Sequence, residues 1–347
     1  VYKGAGFEKR TEDDVIKEID LLADAAEQVC RKAGILFSDT RSREEALTEV
    51  VRNRSLTYEE RRVALWLNRG ASRVFLQDAD SLVRPAYRIE KILRHLYRRF
   101  PTVTSVCTYA RSRTLIAKSK DDLKALFAAG LTRIHIGVES GSDSVLRLVQ
   151  KGCTSKHHIE GIGRAIDAGF EVCCYVMPGL GGRALSDEHV EGTARVLKVA
   201  DPHVVRLRTM FLSPFIPLFE NVKSGEMSLL EEDEVILEIR KLLSMLQGCR
   251  GRLVSDHEYN LLMNIQGHLT DDKEELDRRL LEFLELPKDL QDGFIAARRS
   301  GRLCSLSHFL SDEAGRAEMA GLAQALRRTG NGSLLKGIMD CYSPRLF

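Results

Sequence analysis

The chain has 347 residues, 44% of them hydrophobic and 29% charged, with a formal net charge of +2. That composition is enough for a real core and excludes a disordered chain, and the length suits one large α/β domain plus a smaller one. The near balance of charge gives no argument for nucleic acid, and no apolar run is long enough to span a membrane.

No signal peptide opens the sequence, so a cytoplasmic setting is expected. The sequence begins at Val1 and runs at once into VYKGAGF, which reads as a fragment whose natural start lies upstream. The eight cysteines are Cys30, Cys107, Cys153, Cys173, Cys174, Cys249, Cys304 and Cys341. They show no C-x-x-C or other close ligand spacing, so no zinc or cluster site is visible, and small buried hydrophobes are the default reading.

Val1–Arg10 is glycine-rich and basic and reads as a loop. Thr11 then caps a helix to about Lys32, with Asp13 and Asp14 in its first turn and Val15, Ile19, Leu22 and Ala26 as its apolar stripe. Ser38–Arg69 is charged and helical, two short helices split near Ser55–Thr57, and decorates the first crossover. Arg73–Gln77 is a strand ending in Asp78-Ala79-Asp80, and Pro85 starts a helix to about Arg99. On that helix Ile89, Ile92, Leu93 and Leu96 form one side, while Arg94, Arg98 and Arg99 read as a solvated face. Val103–Tyr109 is the next strand. Ser119 caps a helix that turns Leu123, Leu126 and Phe127 to the core.

Leu131–Gly141, LTRIHIGVESG, is the stretch around which the chain is organised. Ile134, Ile136 and Val138 alternate with polar residues at the period of a strand. Glu139 and Ser140 then stand at its C-terminal end, where α/β barrels carry their chemistry. The competing reading is that they only cap the following helix.

Further on come a helix from about Ser155 to Ala168, a strand over Glu171–Met177, the turn Pro178–Gly182, a helix over Asp187–Val199 and a strand over His203–Met210. His157 and His158 read as a solvated pair at a helix start. Five strands alternating with helices predict a parallel sheet with right-handed crossovers. Beyond Phe211 the remainder is expected to be mostly helical, broken by the polar stretch Ser255–Asn260.

Polar residues gather at the ends of four strands: Gln77, Asp78 and Asp80; Thr108 and Tyr109; Glu139 and Ser140; Arg206 and Arg208. Carboxylates there suit an amino group or ribose hydroxyls, and arginines suit a carboxylate. The alternative for each residue alone is a satisfied cap or ion pair. Asp256, His257 and Asn260 form either a second polar cluster over the same mouth, suited to a substrate, or a hydrogen-bonded structural loop. The turn at Gly179 fits close passage of a ligand, but tight strand-to-helix turns also need glycine. It is neither a dinucleotide fingerprint nor a Walker A loop.

The segments VFLQDADSL, GLTRIHIGVESGSDSVLRLVQKG and AIDAGFEVCCYVMPGLGG resemble the core of radical S-adenosylmethionine (radical SAM) enzymes. The likeness is nearest an uncharacterised branch related to oxygen-independent coproporphyrinogen oxidase and the Elongator catalytic subunit. SDHEYNLLMNIQGHLTDDK resembles that branch's C-terminal segment. The resemblance implies an α/β fold, a partial (β/α)6 TIM-like barrel over residues 1–217 that lacks its first strand here, with a helical insertion at about 38–69 and a mostly helical region over 218–347. It also implies a [4Fe–4S] cluster on a C-x-x-x-C-x-x-C loop, whose cysteines are expected upstream of Val1, and S-adenosyl-L-methionine as the molecule cleaved to a 5′-deoxyadenosyl radical.

Carried over by position, Gln77, Asp78 and Asp80 match the segment contacting the methionine amino group, with Asp-Ala-Asp where many relatives have Gly-Gly-Glu. Glu139 and Ser140 match residues near the methionine and ribose. Met177 and Gly179 match the turn beside adenine, and Arg206 and Arg208, with Tyr109, complete the cofactor set. A reductant for the cluster and an unidentified substrate are the implied partners. Two other readings stand beside this one: a non-catalytic barrel kept as a binding or assembly module, and an unrelated barrel enzyme using Glu139 and Asp80 as acid and base.

Overall fold

The computed structural model describes residues 10–35, 48, 50, 56–77, 80–210, 212, 216–302 and 305–342. The glycine-rich opening, the first insertion helix and Asp78 lie outside the described residues. The architecture is α/β, with a seven-stranded sheet in the order β1 to β7 along the chain. Two compact units divide it, one of residues 2–135 and 164–171, the other chiefly of residues 136–163 and 172–347.

The first unit opens with α1 (Glu12–Ala33) and α2 (Tyr58–Asn68). Each starts with a reciprocal capping box, Thr11 with Asp14 and Thr57 with Glu60, and Gly34 ends α1 at φ 65°. Glu60 is buried, and the Lys32 ammonium 2.7 Å away, with the Thr57 N–H, holds its carboxyl below the usual range. Strands β1 (Arg73–Leu76) and β2 (Ser105–Ala110) pair in parallel.

Between them α3 (Ala86–Arg99) buries Ile89, Ile92, Leu93 and Leu96. Its basic residues are not a purely solvated face. Arg99 reaches Asp20 and Asp24 of α1, and Arg94 pairs with Glu90. After α4 (Ser112–Ala117), α5 (Lys120–Ala128) buries Leu123 and Leu126. Phe127, expected in the core, is 40% exposed and packs edge-on against Phe170. The Phe170 ring and the backbone at Gly169 lie against the part of it that is covered.

Strand β3 (Leu131–Glu139) buries Ile134, Ile136 and Val138 completely, as its alternation requires. The second unit adds α6 (Asp143–Leu148), α7 (Ser155–Asp167), β4 (Glu171–Val176), α8 (Gly182–Ala200) and β5 (Val204–Leu207). His158 is buried, with its Nε2 3.3 Å from the Cys153 Sγ, so the His157–His158 pair is not simply solvated. Helix α8 begins at Gly182, not Asp187. The Arg183 N–H reaches the Ser228 carbonyl, and this backbone bond does the work of a side-chain cap.

Two strands unseen in the sequence extend the sheet: β6 (Arg252–Ser255), parallel to β5, and β7 (Ile265–His268), antiparallel to β6. Helices α9 (Leu218–Lys223), α10 (Glu232–Met245), α11 (Lys273–Leu284), α12 (Lys288–Arg299), α13 (Leu306–Ser311), α14 (Glu313–Thr329) and α15 (Leu334–Tyr342) complete the chain. A buried fork between Arg299 and Glu232 ties α12 to α10. Among the described residues no helix is long and apolar enough to cross a membrane.

Candidate cofactor site

Strand β3 ends in a strained turn. The Ser140 N–H donates to the Val138 carbonyl at 2.7 Å, and Glu139 between them has φ 65°. A non-glycine residue there costs about 1–3 kcal/mol and persists only where its surroundings over-determine it. Here they do. The Glu139 carbonyl accepts from the Met177 N–H at 2.9 Å. The Gly141 N–H donates to the Thr193 hydroxyl at 2.9 Å. The Ser140 hydroxyl accepts from the Ser142 N–H at 3.0 Å and lies 2.9 Å from His189 Nδ1.

His189, Gly192 and Thr193 share one face of α8, at i, i+3 and i+4. The backbones of Gly141 and Gly192 approach so closely that a Cβ on Gly141 would lie 2.2 Å from the Gly192 oxygen. Held this way, the Glu139 carboxylate is partly exposed and pairs with Lys151. A carboxylate beside an ammonium complements the amino and carboxylate groups of an amino acid. Ser140 itself is fully buried, so its hydroxyl holds the turn and does not face a ligand.

Beyond β4 the chain turns through Met177–Gly182. Gly179 has φ 83° and donates its N–H to Glu238 Oε1 at 2.6 Å. The other Glu238 oxygen accepts from the Ser186 hydroxyl. Burial pushes the Glu238 carboxyl up, and those two donors oppose the shift. Met177 packs on a core of Val145, Leu180, Leu212, Leu218 and Met227.

At β5, Arg206 forms a two-point pair with Asp256, which holds the Asp256 carboxyl below its usual range. Arg208 is exposed, and its guanidinium lies 4.9 Å from the centre of the Tyr175 ring. His257 accepts from the Tyr259 N–H and packs on that ring at 5.2 Å, while burial and then the Arg208 charge lower its pKa. Asn260 is buried and fully engaged. Its side chain accepts from the Thr209 N–H and donates to the Leu207 carbonyl and the Ser255 hydroxyl, each within 2.9 Å. Arg298 of α12 donates to the carbonyls of Glu258 and Asn260, so the helical region anchors this loop.

In the other unit, Gln77 is exposed at the end of β1. Asp80 accepts from the Thr114 hydroxyl at 2.5 Å, and its second oxygen is buried with no partner among the described residues. Desolvation raises this carboxyl. The Tyr109 ring packs against Phe75 at 4.7 Å and His135 at 5.8 Å. An orphaned carboxylate oxygen is a place for an incoming N–H or O–H donor.

Sequence reasoning missed Lys151, Tyr175, His189, Glu238 and Arg298. Only the polar face around Gly192 on α8 carried a readable signal. The residues fit S-adenosyl-L-methionine, which needs acceptors for an ammonium and ribose hydroxyls and a cation for a carboxylate. They do not fit a [4Fe–4S] cluster. Among the described residues no group of three or more His, Cys, Asp or Glu side chains is placed to hold a metal; Cys173 and Cys174 are neighbours on β4, Cys30 lies on α1, Cys107 on β2, and Cys249 between α10 and β6.

Parallel strands alternating with helices, with polar groups at their C-terminal ends, define an α/β barrel-type enzyme fold. Residues 37–197, a little under half of the chain, match the family model of the Radical SAM superfamily. Similar solved structures include the archaeal Methanocaldococcus infernus Elp3 with an N-terminal deletion, at 18% identity, TM-score 0.44, 53% of this chain and 47% of that one. They also include coproporphyrinogen III oxidase (HemN) from Escherichia coli, a radical SAM enzyme, at 15% identity, TM-score 0.44, 68% of this chain and 47% of that one. The match therefore spans about half the length of each. No curated protein sequence matches the chain.

Proposed function

We propose that this chain is the S-adenosyl-L-methionine-binding core of a radical SAM enzyme. The observation that carries the reading is the strained, clamped turn that presents Glu139 beside Lys151 at the end of β3. Glu139 accepts from the methionine ammonium or a ribose hydroxyl, and Arg208, stacked on Tyr175, offers its guanidinium to a carboxylate. Arg206 is committed to Asp256, while Ser140, Gly179 and Asn260 hold the backbone around the site.

In the superfamily, a [4Fe–4S] cluster supplies the electron that cleaves S-adenosylmethionine to methionine and a 5′-deoxyadenosyl radical, which abstracts hydrogen from the substrate. No described residue set holds that cluster, and the chemistry assigned to this chain is binding and orientation. A cytoplasmic setting, a reductant and an as yet unidentified substrate belong to the same reading.

Calorimetric titration of S-adenosyl-L-methionine into the chain tests it, with Glu139→Gln expected to weaken binding about tenfold. Absence of binding, or unchanged affinity in the variant, overturns the assignment. Anaerobic reconstitution of the protein from its complete coding region should then release 5′-deoxyadenosine on reduction. Binding without release would point to the non-catalytic module.

A further inference from the structure

Behind the strand ends lies a sealed chain of polar groups that no ligand can touch. Ser140, His189 and Glu238 are all buried. Ser140 Oγ accepts from the Ser142 N–H, so its own hydrogen is free for His189 Nδ1 at 2.9 Å. Burial lowers the His189 pKa to about 4, so the ring is neutral and carries its hydrogen on Nε2. That Nε2 stands 3.7 Å from Glu238 Oε1, the same oxygen that accepts from the Gly179 N–H. The order Ser–His–Glu resembles a nucleophilic triad, but a fully buried hydroxyl and a ring facing it through Nδ1 leave no room for an acyl group. What the chain does is join two strand ends, the Glu139 turn after β3 and the Gly179 turn after β4, through α8 and α10.

We propose that His189 and Glu238 are positioning residues of the S-adenosyl-L-methionine site: through Ser140 and Gly179 they hold the ends of β3 and β4 in the arrangement that presents Glu139. The inference rests on the cofactor reading above. A strained turn relaxes when a clamp is removed, and a carboxylate displaced by a fraction of an ångström loses its ligand geometry. The effect therefore falls on affinity more than on global stability.

Two mild substitutions separate position from mere polarity. In His189→Asn the amide oxygen stands where Nδ1 stood and still accepts from Ser140. In His189→Gln the amide stands near the Nε2 position and leaves the Ser140 O–H without its acceptor. S-adenosyl-L-methionine affinity is read by calorimetry, and amide hydrogen exchange is read over residues 138–142 and 177–182 without ligand. His189→Asn should bind within about threefold of wild type, and His189→Gln about tenfold more weakly with faster exchange at 140–142. Exchange over β7 should stay unchanged. Glu238→Leu should weaken binding and speed exchange at Gly179, with Glu238→Gln rescuing both.

Wild-type binding with equal affinities in His189→Asn and His189→Gln overturns the positioning role alone. Absence of wild-type binding overturns the cofactor reading and this inference with it. Unchanged exchange in His189→Gln and Glu238→Leu refutes the clamp regardless of ligand.

Discussion

Gly141→Ala tests whether α8 truly clamps the end of β3. An added Cβ would meet only backbone: the Gly192 oxygen at 2.2 Å, its carbonyl carbon at 2.4 Å and Thr193 Cα at 2.6 Å. None of these is the far end of a flexible side chain, so relief requires moving a strand end or a helix. Such overpacking costs about 1–3 kcal/mol. Separating the two backbones also stretches the bond from the Gly141 N–H to Thr193, worth about 1 kcal/mol. The expected loss is therefore about 2–4 kcal/mol, a large share of a typical domain stability of about 5–15 kcal/mol.

Gly163→Ala in α7 is the control, because a Cβ there meets nothing within 4 Å. It should be neutral or stabilise by up to about 1 kcal/mol. The chain has two compact units, so unfolding need not be two-state, and urea-dependent hydrogen exchange over residues 172–176 follows the relevant one. Gly141→Ala within about 0.5 kcal/mol of wild type would refute the close approach on which the clamp depends.

Other consequences are as direct. Glu232→Ala strands the buried Arg299 guanidinium and should cost about 3–5 kcal/mol, whereas Glu232→Leu with Arg299→Leu should recover most of it in a urea double-mutant cycle. His158 and His189 both have pKa values lowered from 6.5 to about 4 by burial. Between those limits the unfolded chain binds protons the folded chain refuses. Their contribution to stability is complete above about pH 6.5 and falls with pH by up to about 1.4 kcal/mol per unit for each. Urea unfolding at pH 6.5 and 5.5 measures that slope, His189→Asn should remove one share of it, and a flat profile would contradict the burial. Arg208→Gln should change stability by less than about 0.5 kcal/mol while lowering S-adenosyl-L-methionine affinity, because Arg208 is exposed and its guanidinium rests on the Tyr175 ring. Equal calorimetric affinity in wild type and variant would remove Arg208 from the site.

The legibility of these elements in the sequence tracks how local their causes are. The alternation of Ile134, Ile136 and Val138 marks β3, and Thr11 with Asp14 marks the start of α1, because each pattern is complete within a few residues. Strands β6 and β7 escape because they have four residues each, too few to establish a period, and are strands only by pairing with β5 and with one another. Helix α8 starts ahead of the expected Asp187 because a backbone bond from Arg183 to Ser228 serves its first turn, so Ser186 lies within the helix and caps nothing. Ser186 instead turns to Glu238.

The same distinction separates two kinds of site residue. Glu139, Arg206 and Arg208 stand at or near strand ends, so a one-dimensional pattern singles them out as candidates. His189 and Glu238 sit within helices, 49 and 59 residues from Ser140 and Gly179, and only the packed fold brings them together. A strained turn at Glu139 needs such remote support, because three residues cannot hold φ 65° against the conformations open to them. The strain and the buried polar chain are therefore one feature, with its visible half at the end of β3 and its supporting half in α8 and α10. Substitutions in the supporting half should change the site without touching the ligand.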